Sequence, residues 1–137
     1  MPTVRVTRRV HFSAAHRLHN PEFSETRNRE IFGLCNNPNW HGHNYELDVT
    51  VEGAVDPENG YVLDLGQLKD IAEEVVLRDL DHRNLNTDVP WLRGVIPSTE
   101  NLVVSIWERL VDRIPNGRLA RLVLWETPRN YVEYTGE

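Results

Sequence analysis

The sequence predicts an α+β domain in which an antiparallel sheet of four strands is covered on one face by two helices. The periodicity of the apolar residues gives strands, then helices, then strands again, in the order ββ-αα-ββ. Helices grouped in this way favour an antiparallel sheet rather than a parallel one. The chain has 137 residues, of which 39% are hydrophobic. That is enough for one core, so we expect a single domain over residues 1–137.

Alternation of apolar and polar side chains locates the strands. It predicts a first strand over residues 3–12, a second over 43–52, a third over 120–125 and a fourth over 130–135. Residues 19–40 have no periodicity and hold most of the asparagines and prolines, which indicates a long loop of the kind that often carries function. A four-stranded sheet has two exposed edges, and symmetric self-association is one way to cover them.

Apolar residues at helical spacing locate the two helices. Asp64 is a candidate N-cap, and an apolar stripe runs from Leu65 to Val76. The second helix is predicted to begin near residues 97–99 and to end near residues 115–117.

Composition and charge exclude several classes of function. The net charge is −6 and the pI is near 5.5, so a nucleic-acid surface is not expected. No stretch approaches the ~20 apolar residues that a membrane helix needs, and the N-terminus has no signal-peptide core. The chain has one cysteine. A single cysteine cannot form an internal disulfide, which fits a reducing, cytoplasmic location.

His41 and His43 are the first candidates for a chemical role. Residues two apart on a strand point to the same face, so the two imidazoles can bind one metal ion. His16, at the end of another segment, offers a third ligand. Three protein ligands leave one position open, which is the catalytic arrangement for zinc. The alternative is three hydrogen-bonded histidines with no metal.

The only cysteine and an Asp-His pair are the next candidates. Cys35 is either an inert buried thiol or a reactive one, and a reactive thiol needs a nearby base or cation. Asp81 and His82 could exchange protons with it, the aspartate orienting the histidine. The alternative is a histidine that interacts with a helix C-terminus, with Asp81 as a turn residue.

Glu126 occupies an unusual position in its strand. It is in phase with Ala120, Leu122 and Leu124, on the face that should pack into the core. A carboxylate there is costly unless it is paired. It is either an anchor for a ligand with adjacent N–H donors or one half of an internal salt bridge with an arginine.

Taken together, these segments resemble the 6-pyruvoyl-tetrahydropterin synthase family along nearly the whole chain. Each recurs in the family's order and at similar separations. The matching segments are FSAAHRL (12–18), FGLCNNPN (32–39), HGHNY (41–45), LDHRNL (80–85), STEN (98–101) and ET (126–127). The resemblance implies the tunnelling fold (T-fold), in which subunits close into trimeric barrels and two trimers stack into a homohexamer with sites at subunit interfaces.

The resemblance also implies roles for individual residues. His16, His41 and His43 match the zinc ligands. Cys35 matches the catalytic thiol, and Asp81 and His82 match its proton-transfer partners, which can come from a neighbouring subunit. Glu126 matches the carboxylate that binds the pterin ring, and Ser98, Thr99 and Glu100 match the segment that completes the pterin pocket.

The reaction implied by the resemblance is the conversion of 7,8-dihydroneopterin triphosphate to 6-pyruvoyl-tetrahydropterin with loss of triphosphate, a lyase reaction. Zn²⁺ would act as a Lewis acid, and Mg²⁺ is expected to accompany the triphosphate. The alternatives are the 6-carboxy-tetrahydropterin synthase of queuosine biosynthesis and a non-catalytic module that binds a metal or a pterin. In the carboxy group the cysteine usually stands closer to the His-x-His pair.

Two features remain open at this stage. The anionic substrate requires positive charge, and the candidates are Arg8, Arg9, Arg17, Arg27 and Arg29. Trp40 stands where the family usually has a small residue, often glycine, so it bears on substrate preference.

Overall fold

A computed structural model describes residues 2–137 and contains one five-stranded sheet with helices on one face. The helices and strands are β1 (Thr3–His16), α1 (Glu25–Phe32), β2 (His41–Ala54), α2 (Leu65–Ala72), α3 (Arg78–Leu80), β3 (Arg83–Asn84), α4 (Thr99–Leu110), β4 (Arg118–Thr127) and β5 (Asn130–Tyr134). Short 3₁₀ turns lie at Gly33–Asn36 and Pro90–Leu92. The strand order in the sheet is β3-β1-β2-β4-β5.

The long β1–β2 hairpin is the element that positions the site. The two strands are antiparallel, and their register runs from Thr3 opposite Ala54 to His16 opposite His41. The predicted strands, over 3–12 and 43–52, therefore stop short of the ends of the real ones. Continued pairing extends the hairpin beyond the alternating pattern, and this extension carries His16 and His41.

The core fills the space between the sheet and the helices, as the α+β prediction requires. Phe12 and Leu47 on the sheet pack in one cluster with Leu68 and Ile106 on the helices, and all four are almost completely buried. Burial of an aliphatic side chain of this size contributes about 1.5–3 kcal/mol. The helices of the described chain are too short to cross a lipid bilayer.

The predicted helices occur with different ends. Asp64 caps the first one as expected, accepting a hydrogen bond from the backbone N–H of Gly66 at 2.8 Å. A π-helical turn over Glu73–Leu77 continues this helix into α3, so it is longer than the apolar stripe indicates. The second helix, α4, ends at Leu110 rather than near residues 115–117.

The prediction of four strands was wrong by one. The additional strand, β3, has two residues and pairs in parallel with β1 at Ala14 and Ala15. It lies in a polar segment, where two residues give no detectable alternation. The segment predicted as a loop over 19–40 also contains helix α1. Ser24 caps this helix by accepting a hydrogen bond from the backbone N–H of Arg27 at 3.1 Å.

Candidate metal centre and pterin pocket

Three histidines meet where the β1–β2 hairpin opens into its long connection. The register places His16 directly opposite His41, and His43 follows two residues later, opposite Ala14. The centroids of the three imidazole rings lie 4.6 to 5.0 Å apart. Strand pairing, rather than the loop, therefore brings the three predicted ligands together.

The unused ring nitrogens of these histidines converge. Nε2 of His16, Nδ1 of His41 and Nε2 of His43 are buried and have no hydrogen-bond partner in the described chain. The ligand atoms of the three side chains lie within 4.8 Å of one another. Buried polar atoms without partners are rare in folded proteins, so the three nitrogens together indicate a group that could hold a metal ion.

The surroundings of His16 and His41 favour the form of imidazole that binds metals. Nδ1 of His16 donates to the carbonyl oxygen of Pro97 at 2.8 Å, which leaves the lone pair on Nε2 free. Burial lowers the pKa of His16, and burial followed by the neighbouring imidazole of His43 lowers the pKa of His41. Neutral imidazole is the form that ligates a metal.

Glu126 lies beside the three histidines. Its Oε1 is 3.8 Å from Nε2 of His43, and its Oε2 accepts a hydrogen bond from Oγ1 of Thr99 at 2.5 Å. Among the described residues, no arginine lies within salt-bridge distance of this carboxylate. The salt-bridge alternative for Glu126 therefore has no partner, whereas one carboxylate oxygen still faces the histidines.

A cavity of about 390 Å³ opens next to this carboxylate. A volume of this size falls in the range of pockets for small ligands. The charged groups on its wall are two carboxylates and no cation, which suits a ligand that presents N–H donors. Its lining includes Gly42, His43, Glu46, Trp125, Glu126 and Thr127.

Cys35 lies in the 3₁₀ turn Gly33–Asn36, which is fastened to the end of β1. The backbone N–H of Leu18 donates to the carbonyl of Cys35 at 2.8 Å. The Asn36 side chain donates to the carbonyl of Leu18 at 2.8 Å, and Nε of Arg17 donates to the carbonyl of Asn36 at 3.0 Å. These bonds hold the thiol segment next to the histidine at the end of β1.

The thiol of Cys35 is not part of the histidine cluster. Burial, and secondarily the negative charge of Glu126, raises the pKa of Cys35. In this environment the thiol is protonated at neutral pH, and a nearby cation would be needed to favour the thiolate.

Asp81 and His82 form a pair beside Ser13 of β1, directly before strand β3. Oδ1 of Asp81 lies 3.1 Å from Nδ1 of His82 and accepts a hydrogen bond from the backbone N–H of Ser13 at 2.9 Å. This backbone hydrogen bond is the main reason that the pKa of Asp81 is lowered. The His82 side chain is 83% exposed, and no hydrogen bond within the described chain joins it to Cys35. A single subunit therefore does not assemble the thiol and its predicted partners.

The three predicted site residues at the start of α4 make different contacts. The Ser98 side chain caps the helix by accepting from the backbone N–H of Asn101 at 3.2 Å. Thr99 is buried and holds Glu126, as described above. Glu100 is exposed in the first turn. Only Thr99 therefore touches another candidate residue of the site.

Comparison with known proteins identifies the family. A family model described as 6-pyruvoyl tetrahydropterin synthase matches residues 5–137. The chain belongs to this family. A human protein named 6-pyruvoyl tetrahydrobiopterin synthase is 47% identical over 132 residues, which are 96% of this chain and 91% of the human protein. A Drosophila melanogaster protein of the same name is 43% identical over 136 residues, which are 98% of this chain and 81% of that protein.

The fold agrees with this family. The solved structure of the Caenorhabditis elegans 6-pyruvoyl tetrahydropterin synthase has a TM-score of 0.94 to this chain at 42% identity. The match covers 100% of this chain and 98% of that one. The resemblance inferred from the sequence is confirmed, and so is the tunnelling fold of the subunit.

Trp40 is this chain's departure from the pattern of the 6-pyruvoyl tetrahydropterin synthase family. Its φ is 66°, in the left-handed region, where a side chain costs about 1–2 kcal/mol relative to glycine. Such a backbone favours glycine, which agrees with the small residue that the resemblance predicts at this position. The half-buried indole directly precedes His41, and an effect on substrate preference stays a prediction.

Three contributors to the site were not found in the sequence. Pro97 supplies the carbonyl that orients His16, Tyr45 has its hydroxyl 3.4 Å from Nδ1 of His16, and Ser13 supplies the N–H that holds Asp81. Two of these act through backbone atoms, which leave no signature in the residue type. Tyr45 is fully buried and looks like any apolar strand residue in the pattern.

Proposed function

We propose that the protein converts 7,8-dihydroneopterin triphosphate to 6-pyruvoyl-tetrahydropterin and triphosphate. The observation that carries the proposal is the position of Glu126, 3.8 Å from His43, so that the carboxylate proposed to bind the pterin and one histidine of the metal-capable group line the same pocket. Relatives that carry the name of this synthase support it. The reaction is an elimination with an internal rearrangement, so it needs no external redox cofactor.

The metal in this proposal is Zn²⁺, held by His16, His41 and His43. Three histidines with one open position are a ligand set of catalytic zinc sites. When bound, zinc would supply Lewis acidity, which makes the C–H bonds of the substrate side chain more acidic. The buried, unpartnered nitrogens of the three side chains fit this group.

The chain's own residues bind the pterin and move the protons. Glu126, held by the Thr99 hydroxyl, accepts hydrogen bonds from the pterin N–H groups, while Ser98 and Glu100 complete the pocket at the start of α4. Cys35 as thiolate removes the proton from the side-chain carbon. His82 exchanges protons with the thiol, and Asp81 orients its imidazole through Nδ1.

The assembly in this proposal is a homohexamer of two stacked trimers. Apart from its two-residue pairing with β3, the outer edge of β1 has no partner strand among the described residues, and β5 forms the opposite edge of the sheet. Closure into barrels would pair such edges and could bring His82 of one subunit toward Cys35 of another.

The proposal also includes Mg²⁺, which accompanies the triphosphate. The proposed location is the cytoplasm, because a free thiol is typical of a reducing compartment.

The product of the reaction tests this proposal. The purified protein should release triphosphate from 7,8-dihydroneopterin triphosphate, and mass spectrometry should identify the organic product as 6-pyruvoyl-tetrahydropterin. A 6-carboxy product would assign the protein to queuosine biosynthesis. Binding of the pterin without release of triphosphate would make it a non-catalytic module.

Metal content tests the histidine site separately from activity. We expect about one zinc per subunit, and we expect His43→Ala to lose most of it because two histidines rarely hold zinc alone. The measurement is elemental analysis after dialysis. His11→Ala is the matched control, because His11 is exposed and lies outside the cluster. Full zinc retention in His43→Ala would show that the metal binds elsewhere.

A further inference from the structure

A cavity of about 430 Å³ lies beside the turn that carries Cys35. Arg17 and Arg29 line it, together with one acidic residue, Glu25. The amide side chains of Asn36 and Asn37 add polar groups to its wall. The cavity therefore combines a net positive charge with hydrogen-bonding groups, which is the chemistry that recognises a polyphosphate.

The positive charge distinguishes this cavity from four others on the surface. The largest, of about 870 Å³, is lined by Arg8, Arg9, Lys69 and Arg78, but four carboxylates line it as well. The pterin-side cavity and the cavity at Asp64 have only acidic charges. In the remaining one, Arg83 is balanced by Asp88. On a protein of net charge −6, a cavity with excess positive charge is informative.

Three of the five candidate arginines are engaged elsewhere and are therefore poor candidates for binding the triphosphate. Arg9 is occupied by Asp48 at 2.6 Å and Glu46 at 3.0 Å. The Arg27 guanidinium lies over the Phe23 ring, 4.1 Å from its centre. Arg8 lies in the charge-balanced cavity.

Arg17 and Arg29 remain, and neither has a carboxylate within salt-bridge distance among the described residues. Arg17 is held in place by its Nε bond to the carbonyl of Asn36, at 3.0 Å, so its two terminal nitrogens can point at an anion. Arg29 is exposed in the last turn of α1. One cation is therefore preorganised and the other can adapt, which suits a flexible chain of phosphates.

We infer that Arg17 and Arg29 bind the triphosphate of the substrate and thereby set the specificity for the phosphorylated pterin. The inference rests on the proposed function for the identity of the anion. Arg17 directly follows His16, and residues of the turn Gly33–Asn36, which carries Cys35, line the cavity. A substrate whose side chain lies at the histidines could thus extend its triphosphate past this turn.

Direct binding of inorganic tripolyphosphate, added as its magnesium complex to the zinc-loaded protein, tests the site without requiring turnover. Arg29→Ala should weaken the binding about tenfold, because one charge-assisted contact is lost. Glu25→Gln should tighten it, because the opposing charge is removed. Arg17→Lys keeps the charge but loses the planar group bound to Asn36, and it should weaken binding while the protein stays folded.

Arg27→Ala is the matched control, since it removes the same charge from the same helix but from a side chain that stacks on Phe23. It should change tripolyphosphate binding less than about twofold, because Arg27 does not line the cavity and exposed charges are screened by salt. The inference is overturned if Arg29→Ala and Arg17→Lys bind like the unmodified protein. It is also overturned if Arg27→Ala loses as much affinity as Arg29→Ala.

The same variants separate this inference from the proposed function. Turnover of the pterin triphosphate with an unchanged KM in Arg29→Ala would keep the function and reject the site. Arg29-dependent binding of tripolyphosphate by a protein that does not turn over the substrate would keep the site and reject the function. Binding of 7,8-dihydroneopterin, which has no phosphate, should be the same in all of these variants.

Discussion

Replacing Cys35 by alanine is expected to lower kcat about 10²- to 10⁴-fold, the usual contribution of a positioned general base. Zinc content should stay near that of the unmodified protein, because the sulfur lies outside the histidine cluster. Binding of 7,8-dihydroneopterin should also be nearly unchanged, since the contacts proposed for the pterin ring are made by Glu126. The three measurements are turnover, elemental analysis and a fluorescence titration.

Two further variants test whether the expected loss of kcat is caused by the loss of an acidic thiol. Cys35→Ser keeps a similar shape, but its hydroxyl is far less acidic, so it should be as inactive as the alanine variant. Asn39→Ala alters an exposed residue a few positions along the same connection and should retain activity. Loss of zinc together with activity in Cys35→Ala would make the thiol a metal ligand and contradict its role as a base.

The environment of Cys35 explains why this experiment is informative. In the isolated subunit, burial and the charge of Glu126 raise the pKa of the thiol, so the subunit alone favours the inert form. The His82 side chain is 83% exposed and makes no hydrogen bond to Cys35 within the described chain. In the proposed function, the activating groups would come from the metal and from a neighbouring subunit.

The part of the site that lies on regular strands could be predicted from the sequence. His41 and His43 share a face because strand side chains alternate, and His16 lies opposite His41 because the hairpin continues to its end. Glu126 was found because a carboxylate interrupts an apolar face. In each case a simple periodic rule connects the residue to its position.

The parts that depend on loops and backbone groups could not be predicted in the same way. Helix α1 was missed because its one buried residue, Asn28, is polar, although Ser24 before Glu25 was a usable capping signal. Strand β3 was missed because its pairing with β1 joins residues far apart in the sequence. The choice among the five arginines needed the contacts of Arg9 and Arg27, which no local pattern encodes.

Replacing Glu126 by glutamine tests whether this carboxylate anchors the pterin. The change puts an amide N–H donor where a carboxylate oxygen would accept from the pterin ring. Charge-assisted hydrogen bonds of this kind contribute about 1.5–3 kcal/mol each. Affinity for 7,8-dihydroneopterin should therefore fall about 10- to 1,000-fold, measured by titration of the zinc-loaded protein.

Folding stability should respond differently from affinity. Glutamine retains one oxygen that can accept from the Thr99 hydroxyl, and no arginine of the described chain would lose a partner. We therefore expect the free energy of unfolding to change by less than about 1 kcal/mol, or to rise as a half-buried charge is removed. Zinc content should be measured in the same sample, because Oε1 lies 3.8 Å from His43.

Glu133→Gln is the matched control for this experiment. Glu133 lies on the neighbouring strand β5 and pairs with Arg121 at 2.6 Å on the surface. Such a pair contributes at most about 1 kcal/mol, so the control should melt nearly normally and bind the pterin like the unmodified protein. If Glu126→Gln instead melts several degrees lower and keeps normal pterin affinity, the carboxylate is a structural group. The pterin anchor would then have to be sought among the other residues of the cavity.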